Sequence, residues 1–214
     1  MATVSGGSSS ERFGFIHRYG KAFGVVNLVT RRMPGLRRFV NGGQNKLLNF
    51  WDTSGCDQIW VADVTYRKLH GIWTYLATIM DRYSRRILGW SLSYNRTTEL
   101  TVTALRYALR KTRTAKCVIL YTDRAVEFSG SAFKSELAKA GLEHSVNRPG
   151  HCTDNAYMES FYHSLKGELI RKAVFRGFTH LHRAARYINS FNNKVWLHSS
   201  LGYRSPIDYE RMAA

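Results

Sequence analysis

The chain has 214 residues, of which 44% are hydrophobic, and 32 Lys and Arg against 15 Asp and Glu give a net charge of +17. This length is enough for one domain with a substantial core. With no apolar run long enough to cross a bilayer and no hydrophobic region near the N-terminus, the sequence argues against a membrane or secreted protein and predicts a cytoplasmic one. The charge excess predicts a polyanionic partner, most simply nucleic acid; a solubility charge or a ribosome-associated fold is the alternative.

The first fifty residues differ in composition from the rest. Residues 1–13 are rich in Ser and Gly and are expected to be disordered. Residues 14–50 are basic and contain no complete helix-turn-helix pattern. We therefore divide the chain into a basic, partly disordered N-terminal segment (1–50), a core (51–194) and a C-terminal tail (195–214).

Three strands are predicted at the start of the core. Residues 59–66 are rich in β-formers, residues 72–80 are mostly apolar, and residues 87–94 alternate apolar and polar side chains. Short polar turns connect them, so an antiparallel meander is expected. Trp60, Trp73 and Trp90 lie in these patterns and are expected in the core.

The periodicity then changes to that of an α/β chain. A helix is predicted from Thr98, and a continuous apolar run at 118–121 indicates a strand buried on both sides. A further helix ends at Gly141, and a short strand follows at 143–146. Two more helices follow, one with Met158, Phe161 and Leu165 on one side and one over about 179–192. The order predicts a mixed five-stranded sheet with helices packed against it.

Three carboxylates stand out in this basic chain. Asp63 lies inside a predicted strand, Asp123 follows the buried run, and Glu159 lies near a helix start. Each alone is equally consistent with a turn residue or a helix-terminal charge. Gathered together, they would repel one another at roughly 4 kcal/mol per close pair at an effective dielectric of about 20, unless divalent cations neutralised them. Carboxylate oxygens select Mg²⁺ or Mn²⁺, and two such ions can clamp a phosphoryl displacement.

The three cysteines support neither a disulfide framework nor a zinc site. Cys56, Cys117 and Cys152 are far apart in the sequence, their number is odd, and no C-x-x-C pair occurs.

The spacing of the carboxylates is specific. Thirty-five residues separate Asp123 from Glu159, and Lys166 follows Glu159 by two helical turns. With these features the chain resembles the DDE transposase and retroviral integrase superfamily, in particular the integrase core of bacterial insertion-sequence transposases. Further segments carry the resemblance over roughly residues 57–210: WVADVTY, DRYSRRILGW, YTDR, DNAYMESF, LKGEL and HSSLGYRSP.

The resemblance implies a ribonuclease H-like fold in which the first and fourth strands are neighbours. It implies that Asp63, Asp123 and Glu159 are catalytic and hold two Mg²⁺ or Mn²⁺ ions, which activate water to nick DNA and then activate the freed 3′-hydroxyl to attack a target. Its partners would be double-stranded DNA, as element ends and target, and further copies of the chain beside the bacterial nucleoid. Candidate DNA contacts are Lys166, Arg148, Arg124, Asn155, Arg171 and Lys172.

The chain departs from the family pattern at four places. Tyr121 stands where the family often has His, and Ala125 stands where it often has Gly, which would suit a turn with positive φ. Residues 195–197 lack the arginine that usually precedes the His-Ser pair. Residues 1–50 are too short for the usual DNA-binding region, so we expect a truncated copy or an assembly with a separate DNA-binding subunit. A nuclease without strand transfer and a non-catalytic DNA-binding remnant remain the alternatives.

Overall fold

We describe a computed structural model of the chain for residues 53–69, 71–112, 118–147, 156–167 and 179–213. Its sheet contains five strands, which are β1 Ile59–Leu69, β2 Ile72–Asp81, β3 Ile87–Ser93, β4 Ile119–Thr122 and β5 Glu143–Val146. Six α-helices accompany them, namely α1 Thr98–Lys111, α2 Val126–Ser129, α3 Ser131–Ala140, α4 Ala156–Leu165, α5 Thr179–Arg186 and α6 Pro206–Ala213. A π-helical stretch, Tyr187–Asn192, continues α5, and a 3₁₀ turn covers Ser199–Leu201.

The strand order is β3-β2-β1-β4-β5. The first three strands pair antiparallel as a meander, whereas β4 pairs parallel with β1, and β5 pairs parallel with β4. The predicted mixed five-stranded sheet, with its first and fourth strands adjacent, is therefore confirmed. The parallel pairs need crossover connections, which the helices between β3, β4 and β5 supply.

Alternating residues of β1 feed two separate cores, one on each face of the sheet. Trp60, Ala62 and Val64 pack on one face with the buried residues of α1 and α3. Ile59 and Val61 pack on the other face with the apolar side of α4 and with the π-helical stretch. This alternation follows from the period of two along a strand. It places every odd-numbered residue of β1, including Asp63, on the α4 side.

The apolar stripes predicted from the sequence are largely buried. Met158, Phe161 and Leu165 of α4 are at most 4% exposed, and Gly141 ends α3 in the left-handed conformation at φ +69. The prediction for Trp73 was wrong, because its side chain is 37% exposed near the end of the β1–β2 hairpin. Its ring packs there against Tyr66 at 5.7 Å.

The segment after residue 194 folds back on the β2–β3 turn. Glu210 of α6 accepts hydrogen bonds from Arg86 at 2.6 Å and from Ser84 at 2.8 Å. Nearby, the side-chain amide of Asn193 bonds both backbone groups of Ile87, each at 2.9 Å. Across the described ranges, no helix has the length and apolar character needed to span a bilayer.

Candidate active site

The parallel pairing of β1 and β4 brings two of the predicted carboxylates together. Ala62 is the register partner of Thr122, the last residue of β4. Asp63 and Asp123 each come directly after this pair, so they lie side by side where β4 ends. The carboxyl ends of parallel strands in an α/β sheet are the usual place for a ligand site.

Short local hydrogen bonds orient both side chains. Oδ1 of Asp63 accepts from the backbone N–H of Val64 at 2.7 Å, and Oδ1 of Asp123 accepts from the N–H of Ala125 at 3.0 Å. Ala125 has φ −67 and ψ 145, an extended conformation that any residue adopts. The expected turn with positive φ at this position was therefore wrong, and alanine in place of the usual glycine strains nothing here.

A buried tyrosine, Tyr162, packs beside the two aspartates and was not predicted from the sequence. The Tyr162 hydroxyl donates to the backbone carbonyl of Asp63 at 2.6 Å, and it therefore accepts from the hydroxyl of Thr78, also at 2.6 Å. Burial, together with the nearby charges of Asp63 and Asp123, raises the pKa of Tyr162 well above its ordinary value. The sequence contained a signal for this role, because Tyr162 follows Glu159 by about one helical turn.

Glu159 lies on the exposed side of α4, one turn before Tyr162. Its carboxylate does not join the aspartates in a compact cluster: within the described ranges, no three His, Cys, Asp or Glu side chains are close enough to hold one metal ion. The donor set nevertheless has the chemistry of a magnesium site, since Asp63 and Asp123 offer carboxylate oxygens, the ligands that Mg²⁺ prefers. The structure thus brings together two of the three predicted ligands.

A cationic pair borders the aspartates. Lys166 follows α4, and its ammonium group lies 5.9 Å from the centre of the Tyr162 ring. Burial is the main cause that lowers the pKa of Lys166, nearby Arg67 lowers it further, and Asp63 opposes them. Lys166 therefore lies within electrostatic reach of both Asp63 and Arg67. Arg67 was not predicted, although its even spacing from Asp63 along β1 gave the signal.

The remaining predicted DNA contacts are mostly outside the described residues. Arg124, the residue after Asp123, is half-buried. Its guanidinium donates to the backbone carbonyl of Asn147 at 2.8 Å and so connects this position to the end of β5. Four residues lie where no structure is described, namely Arg148, Asn155, Arg171 and Lys172.

The chain matches known families and proteins along most of the described length. Two family models, both described as Integrase core domain, match residues 54–152 and 140–206. Transposase InsF for insertion sequence IS3A of Escherichia coli strain K12 is 36% identical over 169 residues, which cover 78% of this chain and 58% of that protein. A transposase for insertion sequence element IS904 of Lactococcus lactis is 33% identical over 168 residues, with 78% and 66% coverage. The chain thus spans about 58% of the length of the Escherichia coli relative.

Solved structures of retroviral proteins share the fold. The HTLV-2 integrase catalytic core domain in complex with magnesium superposes with a TM-score of 0.57, covering 73% of this chain and 97% of that one. A simian T-cell lymphotropic virus intasome chain, in a complex with PP2A regulatory subunit B56 gamma, gives a TM-score of 0.62 with 96% and 67% coverage. Sequence identity is 16% in both comparisons, so the likeness concerns the ribonuclease H-like fold.

Proposed function

We propose that this chain, which belongs to the integrase core family of DDE transposases and integrases, is the catalytic part of an insertion-sequence transposase. In the proposed reaction it nicks DNA and joins the freed 3′ end to a target. The observation that carries the proposal is the placement of Asp63, within β1, beside Asp123, which directly follows the neighbouring parallel strand β4. The net charge of +17 of the whole chain suits a phosphodiester substrate.

Asp63 and Asp123, with Glu159 from α4, are the proposed catalytic carboxylates and ligands of two Mg²⁺ or Mn²⁺ ions. When bound, such ions make water or a 3′-hydroxyl nucleophilic and stabilise charge on the phosphate. The chain's own contribution is positioning. The N–H groups of Val64 and Ala125 orient the aspartate side chains, and the Tyr162 hydroxyl fixes the backbone at Asp63.

Basic and polar residues are the proposed contacts for the phosphate backbone. Lys166 is the best-supported contact, because its ammonium lies near Asp63 and its burial leaves it poorly hydrated. Arg148, Arg124, Asn155, Arg171 and Lys172 are proposed as further contacts along the strand. Since these groups act on phosphates, they position DNA without reading its sequence.

The proposed partners are element ends and target DNA, held by several copies of the chain. Joining two ends to one target takes more than one catalytic site, so assembly on DNA is expected. A separate subunit could supply recognition of the ends. The reaction would take place in the bacterial cytoplasm, at the nucleoid.

A strand-transfer assay with Asp123→Asn tests the proposal. Duplexes with precut 3′ ends are incubated with the full chain, Mg²⁺ and a circular target, and joined products are separated on a denaturing gel. We expect the wild type to join ends and Asp123→Asn to lose at least about 10²-fold in rate, as for loss of a transition-state-stabilising group. Duplex binding by the variant should survive. Glu99→Gln, which neutralises an exposed carboxylate on α1, is the matched control and should retain activity.

The same assay separates the alternatives. Shortened strands without joined products would identify a nuclease instead of a transposase. Duplex binding without any product would identify a DNA-binding remnant. Full activity in Asp123→Asn would remove Asp123 from the catalytic site.

A further inference from the structure

A second site lies on the opposite side of α4 from Tyr162. A cavity of about 380 Å³ is enclosed by α4, by the turn between β2 and β3, and by the segment from the π-helical stretch to the 3₁₀ turn. Its polar lining consists of Arg85, Tyr157, Ser160, Ser164, Asn192, His198, Ser199 and Ser200, with Met80, Phe161 and Trp196 beside them. Tyr157 and Ser160 belong to the same first turn of α4 as Glu159.

Three of the family-like segments meet at this cavity, although they are far apart in the sequence. Arg85 comes from DRYSRRILGW, Tyr157 and Ser160 come from DNAYMESF, and His198 comes from HSSLGYRSP. The first and last of these segments do not contribute to the pair formed by Asp63 within β1 and Asp123 after β4.

Arg85 is the charged group of the cavity. Its guanidinium carbon lies 3.6 Å from the centre of the Tyr157 ring, and its backbone has φ +63, a left-handed conformation that is uncommon outside glycine. The turn that holds this conformation is anchored by Asp81, whose Oδ1 accepts from the Ser84 N–H at 2.8 Å. The position of Arg85 is therefore fixed by the turn and by its contact with the Tyr157 ring.

The charge of Arg85 has no acidic counterpart among the described residues. No Asp or Glu lines the cavity there, and none of them forms an ion pair with Arg85. Burial lowers the pKa of Arg85; Tyr157 opposes this effect, and Arg82 adds to it. A partly buried guanidinium without an anion is unfavourable, whereas a phosphate oxygen would pair with it bidentately.

The neutral polar groups of the cavity complement such an anion. Nε2 of His198 is buried and lacks a hydrogen-bond partner among the described residues. Burial, with Arg85 adding to it, lowers the pKa of His198 to about 4, so the ring is neutral at pH 7 and can donate one N–H. Ser160, Ser199 and Ser200 add hydroxyl donors. Tyr157 and Trp196 give apolar walls for the sugar next to a phosphate.

We propose that this cavity binds a backbone phosphate of a DNA strand through Arg85, and so holds DNA on the far side of α4 from the acidic pair. The proposal rests on the proposed function, because it takes its ligand from the same substrate. It adds a second, separate point of attachment, which would fix the direction in which the strand runs past Glu159.

Site-directed cross-linking locates the strand. Ser200→Cys places a thiol at the exposed rim of the cavity, and Ser135→Cys places one at an exposed position of α3, which packs on the other face of the sheet. Each full-length variant is incubated with duplexes carrying a disulfide-activated tether at successive backbone phosphates, with the wild type as background for the native cysteines. We expect Ser200→Cys to cross-link about tenfold faster than Ser135→Cys at one or two tether positions. Equal rates would overturn the proposal.

A charge-matched pair of variants assigns the contact to Arg85. Arg85→Gln and Arg110→Gln each remove one positive charge, but Arg110 is exposed on α1. Fluorescence anisotropy with a labelled duplex should show affinity about tenfold weaker for Arg85→Gln. Its salt slope should also fall by about one. A folded Arg85→Gln that binds as tightly as Arg110→Gln would overturn the proposal, and if Arg85→Gln unfolds, the cross-linking decides.

Inorganic phosphate serves as the second probe. If the cavity holds a backbone phosphate of the duplex, inorganic phosphate should weaken duplex binding by the wild type beyond the effect of chloride at equal ionic strength, and this excess should shrink in Arg85→Gln. An equal excess in the two proteins would overturn the assignment. A wild-type chain that binds duplex and cross-links at Ser200→Cys without joining ends would refute only the strand-transfer function. A wild-type chain that does not bind duplex would refute both.

Discussion

At the scale of single residues, the proposed catalytic aspartates depend on neutral neighbours. Tyr162 is 5% exposed, and its hydroxyl bonds the backbone of Asp63 and the side chain of Thr78 at once. A buried polar group costs free energy unless it is paired. The hydroxyl therefore satisfies one carbonyl and one hydroxyl that the sheet places beneath the acidic pair, and it ties α4 to β1 at the position where the chemistry is proposed.

Replacement of Tyr162 by Phe tests this arrangement. It leaves the Asp63 carbonyl and the Thr78 hydroxyl without their partner, so we expect the free energy of unfolding to fall by about 1–3 kcal/mol. Urea denaturation measures the loss. Tyr75→Phe is the control, because the ring of Tyr75 in β2 is only half-buried. It should change the free energy of unfolding by less than about 0.5 kcal/mol. Equal effects of the two substitutions would mean that the Tyr162 bonds contribute nothing specific.

At the scale of elements, the contact between β3 and α1 fixes how the sheet is covered. A Cβ atom at Gly89 would lie 2.2 Å from the carbonyl oxygen of Ala104 and 2.6 Å from the backbone nitrogen of Ala108. Both obstacles are helix backbone, which cannot rotate away as a side chain can. Gly89 therefore lets α1 approach β3 closely, and the small residues Ala104 and Ala108 complete the contact.

A methyl group at position 89 should separate α1 from the sheet. We expect Gly89→Ala to destabilise the fold by about 1–3 kcal/mol, the cost of overpacking a close contact. Thermal and urea unfolding of the full chain measure it. Gly55→Ala is the control, because a Cβ there would make only an ordinary contact of 3.6 Å with Gln58, and its effect should stay below about 0.5 kcal/mol. A neutral Gly89→Ala would show that α1 can shift without cost.

At the scale of the whole molecule, the described part of this strongly basic chain has an apolar layer on each face of the sheet. Two half-buried histidines lie far apart in the chain. His144 of β5 bonds the Thr122 hydroxyl at 2.9 Å, and His198 lies in the Arg85 cavity. Burial, with Lys134 adding to it, lowers the pKa of His144 to about 4, and His198 is lowered similarly. Both are therefore neutral when the protein is folded at pH 7.

These histidines predict a loss of stability in mild acid. Between the ordinary histidine pKa of 6.5 and about 4, the unfolded chain binds protons that the folded chain refuses. Their contribution is thus fully present above pH 6.5 and is lost as the pH falls towards 4. Urea midpoints measured from neutral pH to about pH 4 should decrease, and His144→Gln should flatten this decrease. His163→Gln, at an exposed histidine of α4, should leave the wild-type slope unchanged; an unaltered slope in His144→Gln would contradict the prediction.

The sequence by itself predicted the five strands and the helices α1, α3, α4 and α5, and it singled out three acidic residues, but it did not predict the short helices α2 and α6. Period-two and helical patterns depend on local geometry, so they located β1 to β5 and the buried side of α4. The spacing of Asp63, Asp123 and Glu159 in a basic chain pointed to phosphoryl chemistry before any contact was known. The local pattern gave a wrong prediction for Trp73. This residue has the sequence neighbours of a core residue, but it lies near the end of the β1–β2 hairpin, where its side chain is exposed.

Only the tertiary structure decided which side chains meet. The bond from Tyr162 to Asp63 joins residues 99 positions apart. The Arg85 cavity likewise draws on three distant segments. Such contacts depend on strand order and helix packing, which cannot be read from any single stretch of sequence. The extended backbone at Ala125, with φ −67 and ψ 145, likewise differs from the turn with positive φ that the usual glycine had suggested.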